Sequence, residues 1–270
     1  MIGTYLVKDA KVVDEALSAG YRLFDTAHMY NNEHHLGKAF QELLPKHNLT
    51  RGDIFITTKF VPSTDYKTEA DYEKLVKNSL ENLRTDYIDL FLLHWPGVYG
   101  LPNSSKEVLV YRRAAWNALA KFQKQGLIRS IGVSNFMIRH LEDLKQHSDV
   151  VPALNQVEWH PLCHNAELHQ YCKDKNILLQ AYSSLGTSSD SSLRKEPTVV
   201  EIAKKLDKSA SQVLLRWATQ NHVAIIPKAS SKKHLDENIN LDFEIPEKDM
   251  EKLNNFKNSE RLDWDPNGVV

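Results

Sequence analysis

The feature that most narrows the fold of this 270-residue chain is a repeated alternation between short apolar runs and longer amphipathic ones. The apolar runs are Tyr21–Asp25, Ile54–Lys59, Ile88–His94, Ile128–Val133, Ala153–Glu158, Ile177–Tyr182 and Val223–Ile226. Their central residues are β-branched or otherwise apolar, as in strands covered on both faces. Segments of roughly ten to twenty residues with helical periodicity separate them. With Ile2–Tyr5 as a short first strand, eight strand–helix units predict an α/β fold, the (β/α)₈ TIM barrel, in one domain over residues 1–270. The rival, an open doubly wound sheet, normally holds fewer strands per domain, and no Pro/Gly-rich linker divides the chain. The dinucleotide fingerprint of that rival is also missing, because Tyr5 stands two positions after Gly3 where a second glycine is required.

Helix punctuation agrees with eight units. Gly20 and Gly126 suit the left-handed position that ends a helix before a strand. Ser209 with Gln212, and more weakly Thr68 with Asp71, form capping boxes. Asn135 and Ser231 are predicted to cap the helices that follow them. Loops exceed the minimum at 97–106 and 183–197, both after strands and so at the catalytic end of a barrel, and the tail 258–270 can fold over that end.

Composition excludes several classes of function. A net charge of -1 gives no general attraction for a polyanion, and the richest basic run, Lys232-Lys233-His234, sits beside Asp236 and Glu237. No nucleic-acid partner is expected. The N-terminal residues show no charged region followed by an apolar core, and no apolar run reaches ~18 residues, so a cytoplasmic protein without a membrane span is expected. The Asn-x-Ser/Thr triplets at Asn48 and Asn103 are then chance matches. Cys163 and Cys172, in a polar stretch of helical character, form no Cys-x-x-Cys unit and read as reduced thiols. No association element is evident, and a monomer is expected.

Three ionisable residues close successive apolar runs: Asp25, Lys59 and His94. In a barrel they converge at the mouth, where burying charge is costly unless it is paired. Asp25 and Lys59, on adjacent strands, are the natural pair, and Tyr30 follows Asp25 by five residues on the next loop. Each has a bland alternative: a buried tyrosine, a structural ion pair, a core histidine. All four placed for one site point instead to hydride addition to a carbonyl. Negative charge grows on the oxygen, so a proton donor (Tyr30) and a hydrogen-bond donor (neutral His94) must face it. Lys59, kept charged by Asp25, is expected to favour the phenolate and so acidify Tyr30. The hydride must come from a cofactor, because no side chain supplies one.

Other chemistries fit less well. His34 and His35 are expected to point apart on a helix, and Glu158 with His160 share one face of a strand extension, so neither set supplies three convergent metal ligands. Ser183-Ser184-Leu185-Gly186 lacks the nucleophile-elbow spacing of serine hydrolases.

The segments Gly20-Tyr-Arg-Leu-Phe-Asp-Thr-Ala-His-Met-Tyr30, Thr-Thr-Lys59, Leu-Leu-His94-Trp95-Pro96, Gly132-Val-Ser-Asn-Phe136, Asn155-Gln-Val-Glu-Trp-His-Pro161 and Ile226-Pro-Lys-Ala-Ser230 with Glu237-Asn238 together resemble the aldo-keto reductase family. They are correctly ordered and extend over nearly the whole chain. The resemblance implies an NADPH-dependent reductase of aldehydes or ketones, with Asp25, Tyr30, Lys59 and His94 as the catalytic tetrad. It implies that Ser134, Asn135 and Gln156 hold the nicotinamide carboxamide and that Tyr182 stacks on the ring. Gly3 and Thr4 would lie at the cofactor end of the first strand, while Ser183, Leu185 and the residues after Gly186 wrap the pyrophosphate. Lys228, Ser230, Ser231 and His234 would surround the adenosine 2'-phosphate, with Glu237 and Asn238 near adenine. Tyr5, Met29, Trp95 and the 97–106 loop would face a small-molecule carbonyl substrate, such as a small aldehyde, an α-dicarbonyl or a hydrophobic ketone.

Three departures from the family pattern qualify this expectation. Ala229 and His234 stand where the family usually has serine and arginine, which weakens the preference for NADPH over NADH without reversing it. Ser184 replaces a frequent proline. The match begins at Met1, so a shortened N-terminus lacking the bottom-capping hairpin, and lower stability, are expected. The competing functions are a catalytically quiet cofactor-binding relative and a TIM-barrel isomerase or aldolase in which Lys59 forms a Schiff base.

Overall fold

The computed structural model describes residues 1–187, 192–256 and 261–270. Parts of the long loop after β7 and of the tail, 188–191 and 257–260, lie outside the described residues. The strands are β1 (Ile2–Gly3), β2 (Leu23–Asp25), β3 (Phe55–Phe60), β4 (Ile88–Leu93), β5 (Ile128–Ser134), β6 (Leu154–Glu158), β7 (Leu178–Tyr182) and β8 (Ala224–Ile225). They form one eight-stranded sheet in chain order, every neighbouring pair parallel. Each overlaps an apolar run, although the two edge members shrink to two residues. The sheet curls back on itself: Gly3 N–H donates to Pro227 O at 3.1 Å, joining the first strand to the segment after the last. A side chain at Gly3 would place its Cβ 2.9 Å from Ile226 O, so this approach requires glycine. The architecture is a near-barrel with flanking helices, consistent with the (β/α)₈ expectation.

The helices are α1 (Ala10–Ser18), α2 (Glu33–Lys46), α3 (Glu69–Leu83), α4 (Glu107–Lys124), α5 (Ile138–His147) and α6 (Ala166–Asp174). Between β7 and β8 come α7 (Ser192–Lys195), α8 (Pro197–Leu206) and α9 (Ala210–Gln220), followed by α10 (Lys232–Ile239) and α11 (Glu247–Asn254). Among the described residues no helix is long and apolar enough to cross a membrane. Gly20 (φ +93) and Gly126 (φ +80) adopt the left-handed conformation expected of helix terminators. Ser209 and Gln212 close both arms of a capping box, and Ser231 caps α10. Asn135 does not cap α5, which begins at Ile138 after Met137. It sits at φ +64, a conformation asparagine tolerates, and its side chain turns toward the barrel mouth.

The main core, including the fully buried Trp116 and Trp217, fills the layer between sheet and helices. A separate cluster of Phe55, Leu90, Leu92 and Leu154 lies on the other face of the sheet. Strand periodicity then fixes the inward positions: Phe55, Thr57 and Lys59 on β3, Leu90 and Leu92 on β4, Leu154, Gln156 and Glu158 on β6. On β3 and β6 the apolar inward residues Phe55 and Leu154 come first and the charged Lys59 and Glu158 last. This order seals the interior and leaves the polar side chains at the C-terminal end.

Candidate active site

At that end Lys59 Nζ donates to Asp25 Oδ1 (2.5 Å) and to Thr26 O (2.8 Å). Gln156 Nε2 donates to Asp25 Oδ2 (2.8 Å) and to Gln180 Oε1 (2.7 Å), and Thr4 Oγ1 donates to Asp25 O (2.8 Å). Tyr30 ends a 3-10 turn after β2, with its ring centre 5.2 Å from Lys59 Nζ, 5.0 Å from the Tyr5 ring and 5.8 Å from the His94 ring. Thus the three strand-end residues and Tyr30 meet. Their electrostatics differ from expectation in one respect. Burial, followed by the carboxylates of Asp25 and Asp263, holds the Tyr30 phenol well above its ordinary value instead of lowering it. Burial is the largest cause, and the ammonium of Lys59 is itself pulled down by burial against the opposing pull of the Asp25 carboxylate. Burial and the Lys59 charge depress His94 well below the usual imidazole range, so it is neutral near pH 7. Its Nδ1 is buried without a partner among the described residues.

Tyr30, His94 and Asp25 line a cavity of about 440 Å³, together with Gly3, Thr4, Tyr5, Met29, Asn135, Gln156 and Tyr182. Tyr182 donates to Asn135 Oδ1 (2.7 Å), and Asn135 Nδ2 donates to His94 O (3.1 Å). The cavity continues past Ser183, Leu185 and Thr187 to Lys228, Ser230 and His234. Ser183 (φ +51) and Gly186 (φ +84) are left-handed, so the segment turns back sharply. Ser184, also on the wall, buries a hydroxyl with no partner among the described residues. Of the residues after Gly186, only Thr187 precedes the undescribed stretch 188–191.

Six expected site residues lie off the cavity wall. Lys59 is fully buried against Asp25. Ser134 donates to Gln156 O (2.8 Å) and is buried. Ser231 is occupied as the α10 cap, and Glu237 lies 3.9 Å from Lys233 Nζ. Asn238 is buried with Nδ2 unpartnered among the described residues. Trp95 packs beside Val98, Val108 and Val269, with its ring 5.5 Å from that of Trp264.

Three wall residues come from segments the strand-end argument does not reach. Arg194 on α7 lines the cavity, as do Asp263 and Trp264 of the tail. Trp264 lies 5.4 Å from the His94 ring. Glu158 holds this tail in place, accepting from Leu262 N–H (2.6 Å) and Asp263 N–H (3.2 Å), with Arg261 Nη1 at 3.6 Å.

The expected scatter of metal ligands needs correction. The ring centres of His34 and His35 are 3.9 Å apart, so these side chains do not diverge. Ligand atoms of Glu158, His160 and Cys163 gather within 4.8 Å, because the backbone doubles back between His160 and Cys163. Glu158 is already occupied by the tail amides and by His160 Nε2 (3.0 Å), and burial pushes the Cys163 thiol up to about 11. With Glu158 so engaged, no metal is assigned to this group.

Residues 6–258 match the family model described as the aldo/keto reductase family. A glyoxal reductase of Bacillus subtilis is 37% identical over 276 residues, covering 100% of this chain and 92% of its own. The 9,11-endoperoxide prostaglandin H2 reductase of Trypanosoma cruzi is 36% identical over 261 residues, covering 95% and 85%. The aldose reductase structure from Schistosoma japonicum matches with a TM-score of 0.85 at 32% identity, covering 96% of this chain and 88% of that one. The chain belongs to the aldo/keto reductase family.

Proposed function

We propose that this chain reduces aldehydes or ketones to alcohols with NADPH, Tyr30 delivering the proton. The observation that carries the reading is the meeting of Tyr30 and His94 with the Lys59–Asp25 pair at a cavity that Arg194, Lys228 and His234 also line. The residues present fit a phosphorylated dinucleotide: Arg194, Lys228 and His234 line the cavity and supply the cationic groups that its phosphates need. Lys228, Ser230, Ser231, His234 and Arg194 would hold the 2'-phosphate, with Glu237 and Asn238 toward adenine. Thr4, Asn135, Gln156 and Tyr182 would hold the nicotinamide end. The bound cofactor would supply the hydride.

His94, neutral, donates one ring N–H to the carbonyl oxygen and polarises it. Tyr30 stays protonated in the free site and is therefore loaded as a donor at every pH near neutrality. As charge develops on the substrate oxygen, the phenolic proton passes to it, and Lys59 stabilises the tyrosinate left behind. Asp25 keeps Lys59 charged and directed. Replacing Tyr30 with Phe should leave NADPH-induced quenching of protein fluorescence intact while lowering carbonyl reduction about 10²- to 10⁴-fold, the usual contribution of a positioned proton donor. Turnover within about threefold of the parent enzyme would remove Tyr30 from the mechanism.

A further inference from the structure

The tail brings a carboxylate to the substrate end of the cavity. Residue 263 is pinned from both sides: its N–H is held by Glu158 at 3.2 Å, and the next side chain, Trp264, lies 5.4 Å from the His94 ring. Asp263 Oδ1 accepts only the local Trp264 N–H (3.0 Å), and the carboxylate lines the same cavity as Tyr30 and His94. Among the described residues no cation lies within 4.0 Å of it, and the charge of Arg261 only partly offsets the burial that raises this carboxyl. Arg261, two residues away, lies instead at 3.6 Å from Glu158 and 3.8 Å from Asp265.

The other charges on the wall are accounted for. Asp25 is matched by Lys59, and on the reductase reading Arg194, Lys228 and His234 are neutralised by the phosphates of the cofactor. At the substrate end a negative charge therefore remains. It is close enough to contribute to the upward displacement of both the Tyr30 and Tyr182 phenols. The rim adds aromatic faces, since Tyr5 is 51% exposed and Trp264 40%. A carboxylate beside exposed aromatic rings attracts an organic cation, and it repels a second carboxylate.

On the reductase reading above, we infer that Asp263 selects substrates by charge, favouring carbonyl compounds that bear a cationic group and rejecting those that bear a carboxylate. Three para-substituted benzaldehydes of similar size separate the cases: trimethylammonio, carboxy and tert-butyl. Each charged compound is expressed as kcat/KM relative to the tert-butyl compound in the same protein at saturating NADPH. Comparing that ratio between proteins cancels the differing reactivity of the aldehydes.

Asp263→Asn keeps the side-chain shape and the acceptor for Trp264 N–H, so the variant should fold. It should lower the cationic ratio about tenfold, or ~1.4 kcal/mol, and raise the anionic ratio severalfold. Asp263→Lys should invert the preference. Benzyltrimethylammonium, titrated calorimetrically into the NADP⁺ complex, should bind more weakly to both variants. Ratios that stay within about twofold in both variants overturn the inference and leave the reductase reading standing. Failure of the parent enzyme to oxidise NADPH with any of the three overturns both.

Discussion

Arg194 offers what histidine at position 234 does not, a permanent planar cation with several donors. Its place on the cavity wall with Lys228 and His234 supports a role in discriminating between dinucleotides. Arg194→Ala is expected to raise the NADPH dissociation constant about tenfold and the NADH constant much less, by fluorescence titration at low salt. Equal rises would put Arg194 at the pyrophosphate. The gathering of Asp25, Lys59 and His94 was legible in the sequence because each closes an apolar run in which a charge or imidazole is conspicuous. Arg194 and Asp263 interrupt nothing, since polar residues are the default in loops. Their importance comes from the path of the chain, and for Asp263 that path is set by Glu158, far earlier in the sequence. The upward displacement of the Tyr30 phenol comes first from burial, and a sequence that shows which charges are near does not show how deeply the phenol is enclosed.

Among the elements, α2 and α3 approach so closely that a Cβ on Gly37 would lie 2.2 Å from Asn82 O and 2.7 Å from the Leu83 carbonyl carbon. Backbone cannot yield as a flexible side chain can. Gly37→Ala should therefore destabilise the protein by about 1–3 kcal/mol despite the better helix propensity of alanine. A denaturant midpoint equal to or above the parent value would show that the helices can separate without cost. Strand existence and order were readable from apolar runs alone. Strand ends were not, because they depend on hydrogen-bond partners contributed by neighbouring strands. Asn135 illustrates the limit: its residue type suits a helix cap, but the nearby His94 carbonyl and Tyr182 hydroxyl claim its side chain.

At the scale of the molecule, two buried histidines couple stability to pH. His140 Nδ1 accepts from Met137 N–H (3.0 Å), so Nε2 carries the proton and donates to Val269 O (3.0 Å). Burial lowers its pKa to about 4. The unfolded chain binds a proton there near pH ~6.5, so stability is complete above that pH and falls as pH drops toward 4, by up to roughly 3 kcal/mol. His94 acts in the same sense. The thermal midpoint should fall between pH 7.5 and pH 5, and less in His140→Gln; parallel curves would remove His140 from this coupling. The carboxylates of Asp143 and Glu158, held below their ordinary values, act in a lower window. The contact between His140 and Val269 belongs to a wider pattern. Glu158 grips backbone N–H groups of residues 262 and 263, Arg139 grips the carbonyls of Pro266, Asn267 and Val269, and Arg112 grips that of Val270. Every one of these anchors addresses main chain, which is the same in any sequence. Val269 is also held by packing, but an exposed side chain such as Trp264 can be exchanged without losing these moorings, so drift there can reshape the cavity rim while Asp25, Tyr30, Lys59 and His94 stay in place.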